Sequence, residues 1–309
     1  MDMSVLDFLA SVLRIATPLL FGAMGSILSE RAGVFAVGLE GMMLAGAFGA
    51  ALFTFLTGDA VAGIAGSMAA GAVVAAIVGV VSVRLGADQM VTGLAVNVLV
   101  AGATSFLVRT ASAHAHVPSL QAALLSPWPL PVLSGLPFVG PLLFSQPPLT
   151  YLALALLAPL NFFLLRTPWG LTLRAVGENP AAAYAVGVDP NAVRMAAVIA
   201  GGAIAGLGGA VLVLQQVGTF TDGMTSGRGF LALAAIIVGR WTPWGAFAAC
   251  LVFGAAEALH LRLQMSGLPV SSYVMQMLPY LIALAVLAGL GRSVRLPAGI
   301  GRYIERKSA

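Results

Sequence analysis

Residues 166–194 read RTPWGLTLRAVGENPAAAYAVGVDPNAVR, and this stretch decides how the rest of the chain is read. It is the longest polar interruption with helix punctuation in a sequence otherwise suited to a bilayer. Asn179-Pro180 forms an N-cap and a first helical residue: the Asn side chain accepts from an orphan N–H, and Pro lacks the N–H that this position leaves unused. Gly187 closes the segment, because Gly takes the left-handed conformation after a helix at little cost. The spacing predicts a helix of about two turns over 180–186. Asp189-Pro190 repeats the start signal and opens a long apolar segment. With Arg166, Arg174 and Arg194 around it, the short helix reads either as a rigid lever for a partner or as a capped loop whose charges hold topology.

The flanking sequence is that of an all-α polytopic membrane protein. Of 309 residues, 60% are hydrophobic and 8% charged, against roughly 25% charged in soluble domains. The 37 Gly and 17 Pro suit helices that pack closely and break. No period-2 alternation supports a barrel. Cys250 is the single cysteine, so an intrachain disulfide and a cysteine metal site are excluded. The N-terminus has acids and no base before its apolar stretch, and reads as a retained first span rather than a cleavable signal.

Apolar windows of about 20 residues fall at 7–28, 32–57, 60–83, 89–108, 149–165, 193–217, 220–239, 243–263 and 271–289. The expectation is therefore a single transmembrane domain of about nine helices (eight to ten), with 32–57 and 220–239 as candidate broken helices. Placing 166–194 in the cytoplasm puts eleven of the fifteen basic residues inside, leaving Arg14, Arg109, Arg228 and Arg262 outside. The N-terminus is then external, 109–148 an external Pro-rich loop, and 290–309 a cytoplasmic basic tail against anionic headgroups. His114 and His116 in that loop lack a third ligand and receive no metal role.

Three stretches stand out, two of them for a polar residue inside apolar sequence. In 29–43, SERAGVFAVGLEGMM, Glu30 and Arg31 mark the inner surface, and Glu40 follows Arg31 by nine residues, roughly 13 Å of helix. A carboxylate at that depth is costly and is a functional candidate or a packing device. Gly33, Gly38 and Gly41 permit close approach or unwinding. Asn97 lies nine residues past Asp88, at a similar depth, and is either a site residue or interhelical glue. In 227–245, GRGFLALAAIIVGRWTPWG, the run from Gly229 and Phe230 resembles the run from Gly33, a faint internal repeat of the kind that builds midplane sites from discontinuous helices.

Absences narrow the function. No phosphate-binding G-x-x-x-x-G-K-[ST] exists and Lys307 is the sole lysine, so any ATP and Mg must be bound by another subunit. No H-E-x-x-H or G-x-S-x-G hydrolase motif is present, nor a run of intramembrane carboxylates for a proton relay.

Taken together the motifs resemble the permease subunits of ABC importers for simple sugars and nucleosides, the branch that includes branched-chain amino acid permeases. The resemblance covers about 22–291 and rests on Ser29-Glu30-Arg31-x-Gly33, Gly38-Leu39-Glu40-Gly41-Met42-Met43, Gly93-Leu94-Ala95-x-Asn97, Gly170, Arg174-Ala175-x-Gly177-Glu178-Asn179-Pro180, Gly187, Gly227-x-Gly229-Phe230 and Gly239-Arg240-Trp241-x-Pro243-x-Gly245. The SER…LEGMM form is most similar to the smaller permease of nucleoside importers that use a basic membrane lipoprotein, although Ala36 stands where Asn is common. The resemblance implies a bacterial inner-membrane permease with no catalysis of its own. Its partners would be a second permease, an ABC ATPase and an extracytoplasmic binding protein. It implies a solute path at Gly33, Gly38, Glu40, Gly41, Asn97 and Phe230, and ATPase coupling through Arg174, Gly177, Glu178, Asn179, Pro180 and Gly187. The alternative class is an ion-coupled secondary transporter or facilitator with Glu40 as its coupling carboxylate.

Overall fold

A computed structural model describes residues 5–115, 120–129, 139–265, 272–290 and 296–301. The described residues form helices in the order α1 (Val5–Arg31), α2 (Leu39–Thr57), α3 (Ala60–Gly79, extended by a π-helical turn over Val80–Arg84) and α4 (Gln89–Ala115). There follow α5 (Val139–Leu143), α6 (Pro148–Arg166), α7 (Pro168–Glu178), α8 (Pro180–Ala185) and α9 (Pro190–Val211, extended by a π-helical stretch over Leu212–Val217). The chain ends with α10 (Arg228–Val238), α11 (Pro243–Met265) and α12 (Ser272–Leu290). Among the described residues seven helices are long and apolar enough to span a membrane: α1, α2, α3, α4, α6, α9 and α11. Arg228–Val238 and Pro279–Gly289 are shorter apolar helices. The protein is an all-α polytopic membrane protein.

Both candidate broken windows are indeed discontinuous. Residues 32–38 are not helical, so the expected span over 32–57 starts only at Leu39. In the 220–239 window only Arg228–Val238 is helical. The expected internal repeat does not extend to the backbone: the run from Gly33 is unwound, whereas the run from Gly229 opens α10.

The bundle is organised around α9, which packs against α1, α2 and α3. Its sequence AGGAIAGLGGA supplies the means. A Cβ at Gly206 would stand 2.2 Å from the Ser67 carbonyl oxygen, and one at Gly201 would stand 2.4 Å from that of Gly25. Lipid gives apolar helices little hydrophobic reason to associate, so dispersion over such backbone contacts carries the packing. The outward faces of α3 and α4 carry exposed Val73, Ile77, Val98 and Phe106, as contact with acyl chains requires.

The Pro-rich stretch is partly ordered by what it touches. Contrary to the expectation of no regular helix, α4 runs on to Ala115 and α5 forms within it. His114 is exposed and its Nδ1 lies 2.8 Å from the Thr110 carbonyl, while His116 is outside the described residues. Residues 120–129 lie along the end of α9: the Ala122 N–H donates to Gly218 and the Leu125 N–H to Leu214, at 2.9 and 2.7 Å. Leu120 is fully buried there.

Candidate solute path and coupling segment

The unwound segment 32–38 would expose backbone groups in a medium that cannot hydrate them, so each polar group needs a partner from the protein. Four side chains from three elements, α1, α4 and α9, supply several of these partners. Gln89, at the start of α4, accepts from the Phe35 N–H at 2.7 Å. Glu30 accepts from the Ala36 N–H at 3.4 Å. Asn97, two turns further along α4, accepts from the Gly41 N–H at 2.8 Å and donates to the Val37 carbonyl at 2.9 Å. Arg194 of α9 donates from Nε to the Ala32 carbonyl at 3.2 Å. Asn97 is thus spent on the backbone that opens α2.

Glu40 performs the same service for the second break. Its two carboxylate oxygens accept from the N–H groups of Gly227 and Gly229, at 2.8 and 2.7 Å. These groups belong to the orphan donors that open α10, where a negative charge also meets the positive end of the helix dipole. Gly229 permits the contact, since a Cβ there would lie 2.6 Å from the Glu40 backbone. Glu40 and Asn97 therefore meet at the first turn of α2, one reaching α10 and the other reached from α4. Phe230 stands on the first turn of α10 with its side chain exposed.

The opposite end of α10 is fixed to the end of α1. The Trp241 indole N–H donates to the Glu30 carboxylate, and Arg31 donates from Nε to the Trp241 carbonyl at 2.9 Å and from a terminal nitrogen to that of Arg240 at 3.4 Å. Arg240 and Trp241 have φ of 55° and 53°, a left-handed turn that bulky residues rarely adopt and that these bonds hold in place. Glu30 is 1% exposed, so it is a buried anchor and not a surface charge as expected. The eleven residues of α10 separate the two anchors by roughly 16 Å. Glu40 is thus tied to the end of α1 by way of α10, and the continuous helix assumed from Arg31 to Glu40 does not exist.

In 166–194 the caps fall where the sequence places them. Asn179 Oδ1 accepts from the Ala182 N–H at 3.0 Å, α8 runs from Pro180 to Ala185, and Gly187 has φ 87°. Asp189 caps α9 through the Asn191 N–H at 2.9 Å. A further helix precedes them: α7, capped by Thr167 Oγ1 accepting from Gly170 N–H at 3.1 Å. Thr167-Pro168 is the same signal as Asn179-Pro180, and it goes unread when only the second is taken as a start. On α8, Tyr184 and the following Val186 are 69% and 80% exposed, an apolar knob projecting from the molecule.

Helix α7 grips the end of α1. Gly177 lies so close that a Cβ would fall 2.0 Å from the Arg31 carbonyl oxygen. Residues 296–301 strap the same place: the Gly299 N–H donates to the Gly177 carbonyl at 2.8 Å, Glu178 accepts from the Ala298 N–H at 3.3 Å, and Arg194 donates to the Gly299 carbonyl at 3.1 Å. This part of the tail docks on protein rather than on headgroups, while 291–295 and 302–309 lie outside the described residues. Arg194, expected as a surface charge, is 2% exposed and bonds backbone carbonyls. Arg174 stands beside Arg31 on α7.

Glu40 and Asn97 bond to backbone groups, and the arrangement positions helices. Residues 8–293 match the family model described as the branched-chain amino acid transport system / permease component. The chain is 35% identical to the guanosine ABC transporter permease protein NupQ of Bacillus subtilis, covering 94% of each. It is 34% identical to the nucleoside ABC transporter permease protein NupC of Lactococcus lactis, covering 96% of each. The same two bacteria supply more distant matches, NupP at 25% and NupB at 23% identity. No solved structure matches significantly. A sequence that aligns over nearly its whole length with these permeases, and whose signature residues build two facing helix breaks joined to a capped segment, belongs to the branched-chain amino acid transport system / permease component family.

Proposed function

We propose that this chain is one of two non-identical permease subunits of an ABC importer in a bacterial inner membrane, and that the importer moves nucleosides. An ABC ATPase, which binds ATP and Mg, seats against α7 and α8, with the exposed Tyr184 and Val186 as its contact. An extracytoplasmic binding protein delivers the solute to the opposite face. The 166–194 face is cytoplasmic, as the excess of arginines on it supports, and the start of α1 is external. The two pairs of differently named permeases in the related bacteria support a second, homologous subunit.

The observation that carries this reading is the unbroken mechanical connection from α7 to mid-membrane. Gly177 backs onto Arg31, Arg31 holds the 240–241 turn, α10 follows as a rigid rod, and Glu40 ties its far end to α2. A displacement of α7 by the ATPase is thereby delivered to the point where two helices break. The paired hydrogen bonds at Glu40 weigh against its serving as an ion-coupling carboxylate, because protonation would cost an acceptor at α10.

The test is a mild-detergent pull-down of the natively expressed chain, followed by reconstitution of what comes with it. An ATPase and a second permease are expected, together with ATP-dependent guanosine uptake that is lost when 180–186 is deleted. Recovery of the chain alone, moving solute in liposomes without ATP, would overturn the importer reading.

A further inference from the structure

Between α10, α11 and α12 lies a cavity of about 380 Å³, within the range of roughly 300–1,000 Å³ that holds small-molecule ligands. Its polar wall is made by Ser226, Arg228, Glu257, His260, Gln264 and Tyr280. Most of these groups satisfy one another. Arg228 and Glu257 pair at 2.5 Å with 22% and 16% of their side chains exposed. Arg228 also donates to the Met224 carbonyl at 3.1 Å, and the Tyr280 hydroxyl donates to the Ser226 carbonyl at 2.8 Å.

His260 breaks this pattern. It is 9% exposed, and its buried Nε2 has no hydrogen-bond partner among the described residues. A buried nitrogen left unpaired is destabilising, and a bound polar group would relieve it. The cavity also adjoins the break: Ser226 and Arg228 flank Gly227, whose N–H Glu40 holds. It therefore opens at the level where α2 and α10 begin. Ionisable side chains within a membrane are costly and, where they face a cavity, mark solute paths.

The chemistry of the wall states what fits. The matched Arg228–Glu257 pair brings no net charge, so it offers an anion no uncompensated cation, and a phosphate would meet the Glu257 carboxylate. The pair keeps spare guanidinium N–H groups and carboxylate lone pairs, and Gln264 offers both a donor and an acceptor. We infer that this cavity binds the solute during passage and takes a neutral solute with donors and acceptors, a nucleoside and not a nucleoside phosphate. His260 Nε2 makes one hydrogen bond to it, and Leu231, Leu261 and Pro279 supply the apolar wall. The inference rests on the nucleoside importer proposed above.

The test is made on the assembled transporter in lipid nanodiscs, carrying Gln264→Cys with the buried Cys250 replaced by Ala. A small methanethiosulfonate reagent labels position 264, and guanosine is expected to suppress most of that labelling while guanosine 5′-monophosphate leaves it unchanged. Adding His260→Ala is expected to raise the guanosine needed for half-protection about tenfold, the loss of one buried hydrogen bond, with His260→Gln restoring part of it. Labelling untouched by guanosine while ATP-driven guanosine uptake is intact would overturn the site and leave the importer standing. Equal protection by the monophosphate would overturn the neutral-solute assignment. Absence of nucleoside uptake by the unsubstituted transporter would fail the nucleoside reading, and this inference with it, before any variant is made.

Discussion

Glu40→Gln separates the two roles open to an intramembrane carboxylate. The carboxylate accepts from Gly227 and Gly229 with one oxygen each. Gln keeps one oxygen and turns its amide N–H₂ toward the other donor, so one backbone N–H loses its partner where water is scarce. That loss costs about 1–3 kcal/mol. Removing the negative charge from the N-terminus of α10 adds about 0.3–2 kcal/mol. Together the junction between α2 and α10 weakens by about 1.3–5 kcal/mol, which raises the opening equilibrium of the first turn of α10 by roughly 10- to 5,000-fold. Hydrogen exchange of the purified protein in nanodiscs reads this directly. The amides of 227–231 should exchange faster by that factor, those of α9 should not change, and ATP-dependent uptake should fall while the subunits still assemble. Unchanged exchange at 227–231 with full uptake would refute the capping role and reduce Glu40 to a packing residue.

Asn97→Leu should lower thermal stability, because it leaves both the Gly41 N–H and the Val37 carbonyl unpaired at about 1–3 kcal/mol each; a melting curve identical to the parent would contradict this. Gly177→Ala and Gly187→Ala should differ sharply. At Gly177 the new methyl meets the Arg31 carbonyl at 2.0 Å and α7 must lift off, abolishing coupled ATP hydrolysis, whereas at Gly187 only the left-handed backbone is strained, by about 1–2 kcal/mol, and hydrolysis should survive. Glu178→Arg, which removes the acceptor for the Ala298 N–H, should abolish solute-stimulated ATP hydrolysis while membrane insertion stays normal; unchanged stimulation would remove α7 from the coupling route.

What was legible in the sequence follows the range of the interactions involved. The caps at Asn179, Gly187 and Asp189 involve groups within a few residues, and the structure places all three as read. The breaks near 32 and 220 were visible because Gly and charged residues interrupt apolar windows there. Their stitching was not, because the partners of Glu40 lie 187 and 189 residues away, and nothing local pairs Glu30 with Trp241. The likeness between the runs from Gly33 and from Gly229 misled for the same reason: Gln89 and Asn97 capture the first run's backbone, and the second is free to coil. Arg194 was assigned to a side of the membrane by its charge, but charge counting gives topology and not burial.

The polar residues of an apolar sequence are therefore best sorted by what they satisfy. Each helix break leaves backbone groups that lipid cannot solvate, and a side chain that answers them is held in place by that task. Gln89, Asn97, Glu30, Arg31, Arg194 and Glu40 all bond to backbone or to one another's neighbours at the two breaks. Glu30, Arg31, Glu40 and Asn97 among them are signature residues, and the chemistry of all six is that of a frame. Arg228, Glu257, His260 and Gln264 line open space, and the His260 among them holds a buried, unanswered nitrogen. Selectivity for the solute is then expected to move with substitutions at this second set, and local stability and coupled uptake with substitutions at the first, which divides the path from the machinery that moves it.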